Sequence, residues 1–253
     1  MKVIDIYNFL DSIAPFNTAL PFDNAGLLVG EGQKEVKKIG VVLDVTPEAV
    51  DFAQKHDIDL IVSHHPVIFH PLKALTADSV QYKLAAGGIS VISAHTNLDA
   101  AVGGVNDALC ETLELHDVSP LADPQTEGFP PMGRIGKLNR QMSCEDFAKL
   151  VSQKLCTKAK TVISHKKIQT VAVCGGAGED FILPAVKSGA DALVTADIKH
   201  HNLLLAKSLG LCLIDAGHFE TENVVVHRLA KRISEFSSIE TAVIPQSPPA
   251  EWF

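Results

Sequence analysis

The chain has 253 residues, of which 46% are hydrophobic and 21% charged, with a net charge of −8. This is the composition of a globular protein with a large core. The acidic balance, with no Lys/Arg run beyond the pairs Lys37-Lys38 and Lys166-Lys167, argues against a non-specific grip on nucleic acid.

Residues 3–14 set Val3, Ile6, Tyr7, Leu10 and Ile13 on one helical face. Asp5 and Asp11 interrupt the apolar stretch, so it reads as an amphipathic helix rather than a secretion signal. In DNAGLLVG (23–30), Asp23, Asn24 and Gly26 supply turn chemistry before a strand. IGVVLD (39–44) is a buried strand, and Thr46-Pro47 then reads as an N-cap with Pro at N1, opening a helix through Gln54. IDLIVS (58–63) is nearly all apolar, as in a parallel sheet covered on both faces. After His64-His65-Pro66 the sequence predicts a loop through Lys73, a helix over about 76–87 and the strand ISVISA.

Beyond Asp99, Gly103-Gly104 precede a helix with Val105, Ala108, Leu109 and Leu113 on one side. The Pro-, Gly- and Asp-rich segment 117–137 is the expected linker, followed by a helix over 143–155 and a strand over 160–164. A new α/β stretch begins at Ile168, its helix in DIKHHNLLLAK turning Leu203, Leu204 and Leu205 inward; the tail SPPAEWF reads as peripheral. No uncharged apolar run reaches membrane-spanning length. Five cysteines (Cys110, Cys144, Cys156, Cys174, Cys212) without a C-x-x-C pair predict reduced thiols used as small hydrophobes, hence a cytoplasmic protein.

The two halves repeat one pattern. KKIGVVLDVTPEAVDFAQKHDIDLIVSHHP followed by GISVISAHTNLDAAVGG has a counterpart in IQTVAVCGGAGEDFILPAVKSGADALVTADIKHH followed by GLCLIDAGHFETEN. Each is strand, helix, strand, then a Gly-led strand ending in a histidine with an acid four residues later: His95/Asp99 and His218/Glu222. Alternating β-α-β units imply mostly parallel sheets with helices on their faces, and ligands beyond the carboxyl ends of the strands. The expected fold is therefore α/β, as two related units with a metal site between them. The expected boundaries are 1–120 (His64/His65/Asp99), completed by the C-terminal segment, and 121–253 (His218/Glu222), with no inserted middle domain.

His64-His65, His95 and His218 each follow a predicted strand. Neighbouring strand residues point to opposite faces, so the pair serves one centre only if the backbone turns, or it serves two metals on either side. Imidazole and carboxylate without thiolate suit Zn, Fe, Mn, Ni or Co. Asp197, His201 and His70 are further candidates to line the cavity, whereas His56, His116, His165 and His227 sit among polar residues and read as surface groups. Gly175-Gly176-Ala177-Gly178 lacks the full dinucleotide fingerprint and is a tight turn near the cavity. Arg134 is the candidate for holding an anionic substrate.

In order, DNAGLLVG, LDVT, SHHP, AHTNLD, the GRIG turn and GHFETE resemble the GTP cyclohydrolase I type 2 homologue family (Nif3-like metal-binding proteins) across essentially the whole chain. The resemblance implies two α/β domains, a two-metal centre and a homohexamer built as a trimer of dimers. It places the metal ligands on His64, His65, Asp99, His218 and Glu222: His65 with Asp99 on one ion, His64 with His218 on the other, Glu222 bridging. As the repeat mate of His218, His95 is the candidate to support a ligand from behind or to transfer a proton. The expected function is a dinuclear divalent-metal-dependent hydrolase acting on a small molecule; the alternative is a non-enzymatic metal-binding scaffold or regulator forming a ring. A nucleic-acid clamp is a third option that the net charge opposes.

Overall fold

A computed structural model describes residues 1–121 and 130–250. Part of the expected linker (122–129) and the end of the tail lie outside the described residues. Met1–Val102 with Val226–Ser247 makes one compact unit, and Gly103–Val225 makes the body of the other.

The first unit is built on β2 (Lys38–Val42), β3 (Leu60–Ser63) and β4 (Ser90–Ser93), all parallel. Antiparallel β1 (Gly26–Val29) adds beside β4, and β11 (Glu240–Val243) pairs parallel with β2. Every residue of β3 and β4 is buried, which is why these strands carry no alternating polar face. Helix α1 (Val3–Ile13) buries Val3, Ile6 and Leu10, and α2 (Pro47–Lys55) buries Ala49, Val50 and Ala53. Thr46 caps α2 by accepting from the Ala49 amide, with Pro47 at N1. The helix expected over 76–87 is shorter: α3 is Val80–Ala86, because the Ser79 side chain caps it by accepting from Tyr82 N.

In the second unit the parallel core is β8 (Ile168–Ala177), β9 (Ala192–Ala196) and β10 (Cys212–Asp215). Short antiparallel β7 (Lys160–Val162) pairs with β10, as β1 pairs with β4. On its other edge lie β6 (Arg134–Met142) and β5 (His116–Pro120), both antiparallel. The two cores share their bonding in detail. Asp59 Oδ2 accepts from Lys37 N and Lys38 N, and Asp191 Oδ2 from Gln169 N and Thr170 N. Each carboxylate thereby ties the start of a first core strand to the turn before the second.

The boundary therefore lies near 102, not 120. Helix α5 (Val105–Thr112) puts Leu109 and Cys110 in a cluster with Phe147, Val171 and Val173 of the second unit, and β5 pairs with β6. The GRIG segment leads into β6 rather than a turn, so both ends of the expected linker are strand. Cys144 and Cys212 are disulfide-bonded, correcting the expectation of five thiols; they are 68 residues apart and share one core cluster. Cys110 and Cys174 are buried thiols and Cys156 is exposed. On α8 (His200–Leu209), Leu203 and Leu205 pack inward but Leu204 is exposed. Among the described residues, no helix is long and apolar enough to cross a membrane.

Candidate metal centre

In the first unit, His64 and His65 follow β3, and their amides still donate to Val42 O and Leu43 O at 3.2 and 3.0 Å. Despite adjacency in an extended segment, their rings lie 4.9 Å apart. His95 follows β4, with ring centroids 5.2 Å from His64 and 5.5 Å from His65. One ligand atom from each of these three histidines falls within 4.8 Å of the others. The single-turn helix α4 (Thr96–Ala100) hydrogen-bonds Asp99 N to His95 O at 3.0 Å, placing Asp99 one turn beyond His95. Asp99 Oδ1 lies 3.5 Å from His64 Nε2.

Each of these imidazoles has its Nδ1 against an oxygen acceptor. His64 Nδ1 is 2.9 Å from Ala94 O, His65 Nδ1 is 2.7 Å from Asp44 Oδ1, and His95 Nδ1 is 2.9 Å from Asp23 Oδ1. A ring that donates from Nδ1 keeps its lone pair on Nε2, the arrangement that metal-binding histidines use. The Asp44 turn is itself pinned by Gln246, whose Oε1 accepts from Leu43 N and Asp44 N while its Nε2 donates to Asp44 O. Asn97 supports the next turn, accepting from His95 N and donating to Ala14 O.

In the second unit, α9 (His218–Glu222) starts just after β10, and its i,i+4 spacing brings His218 Nε2 to 3.1 Å from Glu222 Oε2. His218 Nδ1 is 2.6 Å from Asp197 Oδ2, so this imidazole also has an orienting carboxylate. The hydrogen bond to Glu222, working against burial and aided by Asp197, pushes the His218 pKa up to about 9. A proton and a divalent cation compete for such a pair of donors, which is why metal affinity in these sites depends on pH.

Beneath them β8 carries Gly175-Gly176 in an irregular stretch of its pairing with β9. At Gly176, φ is +64°, and a Cβ would collide with Glu222 Oε1 and stand 3.1 Å from His218 Nε2. Thr221 Oγ1 accepts from Gly176 N at 3.0 Å, and Asn106 Oδ1 from Gly175 N at 2.8 Å. The glycines are thus a cradle under the two donors rather than a phosphate loop.

The donor chemistry fits divalent cations: imidazole Nε2 and carboxylate oxygen, the rings oriented from behind, and no thiolate among them. Not every expected residue joins these sets. Arg134 is buried, with Nε donating to Asp107 Oδ1 at 2.6 Å and Nη1 to Pro131 O, Met132 O and Gly133 O. It clasps a loop to α5, and burial demands internal acceptors for these N–H groups. His201 is an exposed residue of α8, and His70 is exposed with its ring against Phe69. Asp197 does belong to the second set. Asp44 and Asp23 stand in the LDVT and DNAGLLVG boxes, the one sign the sequence offers of their part in the site; Gln246, beyond β11, carries no such sign.

Residues 1–249 match the family model described as Duf34/NIF3 (NGG1p interacting factor 3). The chain belongs to this family. Among curated relatives, the GTP cyclohydrolase 1 type 2 homolog of Clostridium perfringens is 32% identical over 241 residues, 93% of this chain and 92% of that protein. The one from Methanocaldococcus jannaschii is 35% identical over 231 residues, covering 88% of this chain and 90% of the relative. The crystal structure of Staphylococcus aureus protein SA1388 superposes with a TM-score of 0.92 at 30% identity, covering 100% of this chain and 99% of that one.

Proposed function

We propose that this Duf34/NIF3 protein is a dinuclear divalent-metal-dependent hydrolase of a small-molecule substrate. Its ligands would be His64, His65, Asp99, His218 and Glu222, with Glu222 shared by the two ions; Asp99 Oδ1 lies 3.5 Å from His64 Nε2, which supports Asp99 with His64, rather than with His65, on one ion. The observation that carries this reading is the repeated orientation of imidazoles. All four histidines at the strand ends have Nδ1 on an oxygen acceptor, three of them a carboxylate. Random surface histidines have no reason to share that feature; metal ligands do. When bound, divalent ions supply Lewis-acid polarisation of a carbonyl, amidine or phosphoryl group and make water acidic near neutral pH.

The chain's own residues do the rest. Ala94 O, Asp44 and Asp197 hold the three ligand rings in one tautomer, and the glycine cradle lets Glu222 lie against β8. His95 stays outside the ligand set as the group that receives or returns a proton at Nε2. The homohexamer implied by the family resemblance is part of the same proposal, and sedimentation of the full chain checks it.

Elemental analysis of reconstituted protein should give two divalent ions per chain, falling to one or none in Glu222→Gln. Two ions retained in that variant would remove the shared role of Glu222. Metal-loaded protein should also turn over a member of a panel of nucleotides, pterins and phosphoesters faster than free metal does. No turnover across the panel, together with a tight complex with another protein, would favour the non-enzymatic scaffold.

A further inference from the structure

Of the carboxylates that sit behind the imidazoles, Asp23 differs from the others in burial. Its side chain is 0% exposed, against 41% for Asp44 and 54% for Asp197. It lies in the turn before β1, 72 residues from His95. Oδ1 accepts from His95 Nδ1 at 2.9 Å and from Asn24 N at 2.7 Å. Oδ2 accepts from Thr96 N at 3.0 Å and from Thr96 Oγ1 at 2.6 Å. Shielding an ionised carboxylate from water is costly unless donors answer its charge. Four donors answer it here, yet a neutral Asn or Ser would suffice if the task were only to cap the turn at Thr96. What a carboxylate adds is an acceptor on both oxygens, and therefore an acceptor toward His95 whichever way the group is turned.

We propose that Asp23 is a positioning residue: it holds His95 as the Nδ1–H tautomer, so that the Nε2 lone pair faces the donor atoms of His64 and His65. The use made of that lone pair rests on the metal-centre reading above; the tautomer does not. By elimination it is Nε2 that converges on the neighbouring histidines, since Nδ1 is engaged by Asp23 and the three ligand atoms lie within 4.8 Å of one another. Thr96 ties the geometry to the backbone, because its Oγ1 also accepts from Leu20 N at 2.9 Å. The turn, the helix start and the ring are thus held by a single carboxylate.

Asp23→Asn tests this with almost no change of shape. An amide has one acceptor oxygen and one NH2 donor. Thr96 is buried and its N–H cannot turn to water, whereas Asn24 is exposed and its N–H can. The Asn oxygen should therefore stay on Thr96, leaving the NH2 against His95 Nδ1, which must become the acceptor. The proton then moves to Nε2, a wrong-tautomer outcome of the kind seen when a triad Asp becomes Asn.

Metal-free, 15N-histidine-labelled full chain would be examined by solid-state NMR at about pH 8.5, above the usual histidine range, with His95→Gln identifying the resonances. Wild type should have its unprotonated nitrogen at Nε2 of His95, and Asp23→Asn should move it to Nδ1. Thr96→Val removes hydroxyl contacts of the same turn without touching the Asp23–His95 link, and should leave the tautomer unchanged. A proton on Nε2 in wild type, an unchanged tautomer in Asp23→Asn, or the same change in Thr96→Val would each overturn the proposal. Metal content is read separately: loss of the two-ion stoichiometry with an intact tautomer pattern would sink the metal-centre reading and leave Asp23 in place.

Discussion

The two units solve one problem with different materials. Both have three parallel strands, an antiparallel edge strand beside the third, and a histidine four residues ahead of an acid where the third strand ends. Behind that histidine the second unit places Asp197, from the end of its own middle strand β9. In the first unit the corresponding strand end is occupied by His64 and His65, so the orienting carboxylate for His95 is Asp23, from the turn before β1. Floors differ as well: Gly175-Gly176 lie just before the end of β8 in the second unit, while β2 in the first leads to the Asp44 turn. A duplicated scaffold preserves backbone bonding, such as the Asp59 and Asp191 ties, more faithfully than it preserves which loop supplies a side chain.

The largest effect is expected at the glycine cradle. Gly176→Ala adds a left-handed-backbone cost of about 1–2 kcal/mol to a clash costing about 1–3 kcal/mol. Gly189→Ala in the same unit is the matched control, since its φ is +77° and nothing lies within 4 Å of its added Cβ. It should lose only the backbone part. Urea denaturation of both variants checks the difference, and equal losses would mean that Glu222 and β8 part easily. Gly176→Ala should also lose ion binding; Gly189→Ala should keep it.

A smaller effect tests whether the orienting carboxylates of the two units are equivalent. Asp44→Asn and Asp197→Asn should each weaken divalent-ion binding by about 10–100-fold, the usual cost of losing an outer partner of a metal-bound histidine. Competition with a chelator measures both. An effect in one variant only would confine the metal-binding role to that unit.

The smallest effect is confined to acid and belongs to the first unit. Burial alone would raise the Asp23 pKa, but hydrogen bonds from His95 and Thr96 outweigh it and lower the value from 3.8 to about 2. Because the folded value lies below the unfolded one, ionised Asp23 stabilises the fold above about pH 4. That contribution disappears as the pH falls toward about 2. Thermal melts across this range should decline less steeply in Asp23→Asn than in wild type; identical slopes would mean that the carboxylate carries no such linkage.

Much of this architecture was legible from local chemistry. Buried strands announced themselves by continuous apolar runs, α2 by Thr46-Pro47, and the histidine–acid endings by recurring at equivalent places. Segment 117–137 misled because Pro, Gly and Asp are turn formers, yet edge strands such as β5 tolerate them. Arg134 has a chemistry that suits either an anion or a buried clasp, and its bonds to Asp107 and the nearby carbonyls appear only in the folded chain. Cys144 and Cys212 looked like core hydrophobes, which they are, but their pairing depends on a contact across 68 residues.

Residue types and their spacing were enough to name the metal-ligating candidates, because an imidazole or carboxylate at a strand end has few structural uses. What spacing could not supply was the support behind each ring. Asp23 reaches His95 across 72 residues and Gln246 reaches the Asp44 turn across 202. Such partners come together only through the folded chain, since a hydrogen bond needs the right atoms within about 3 Å and leaves no periodic trace in the sequence.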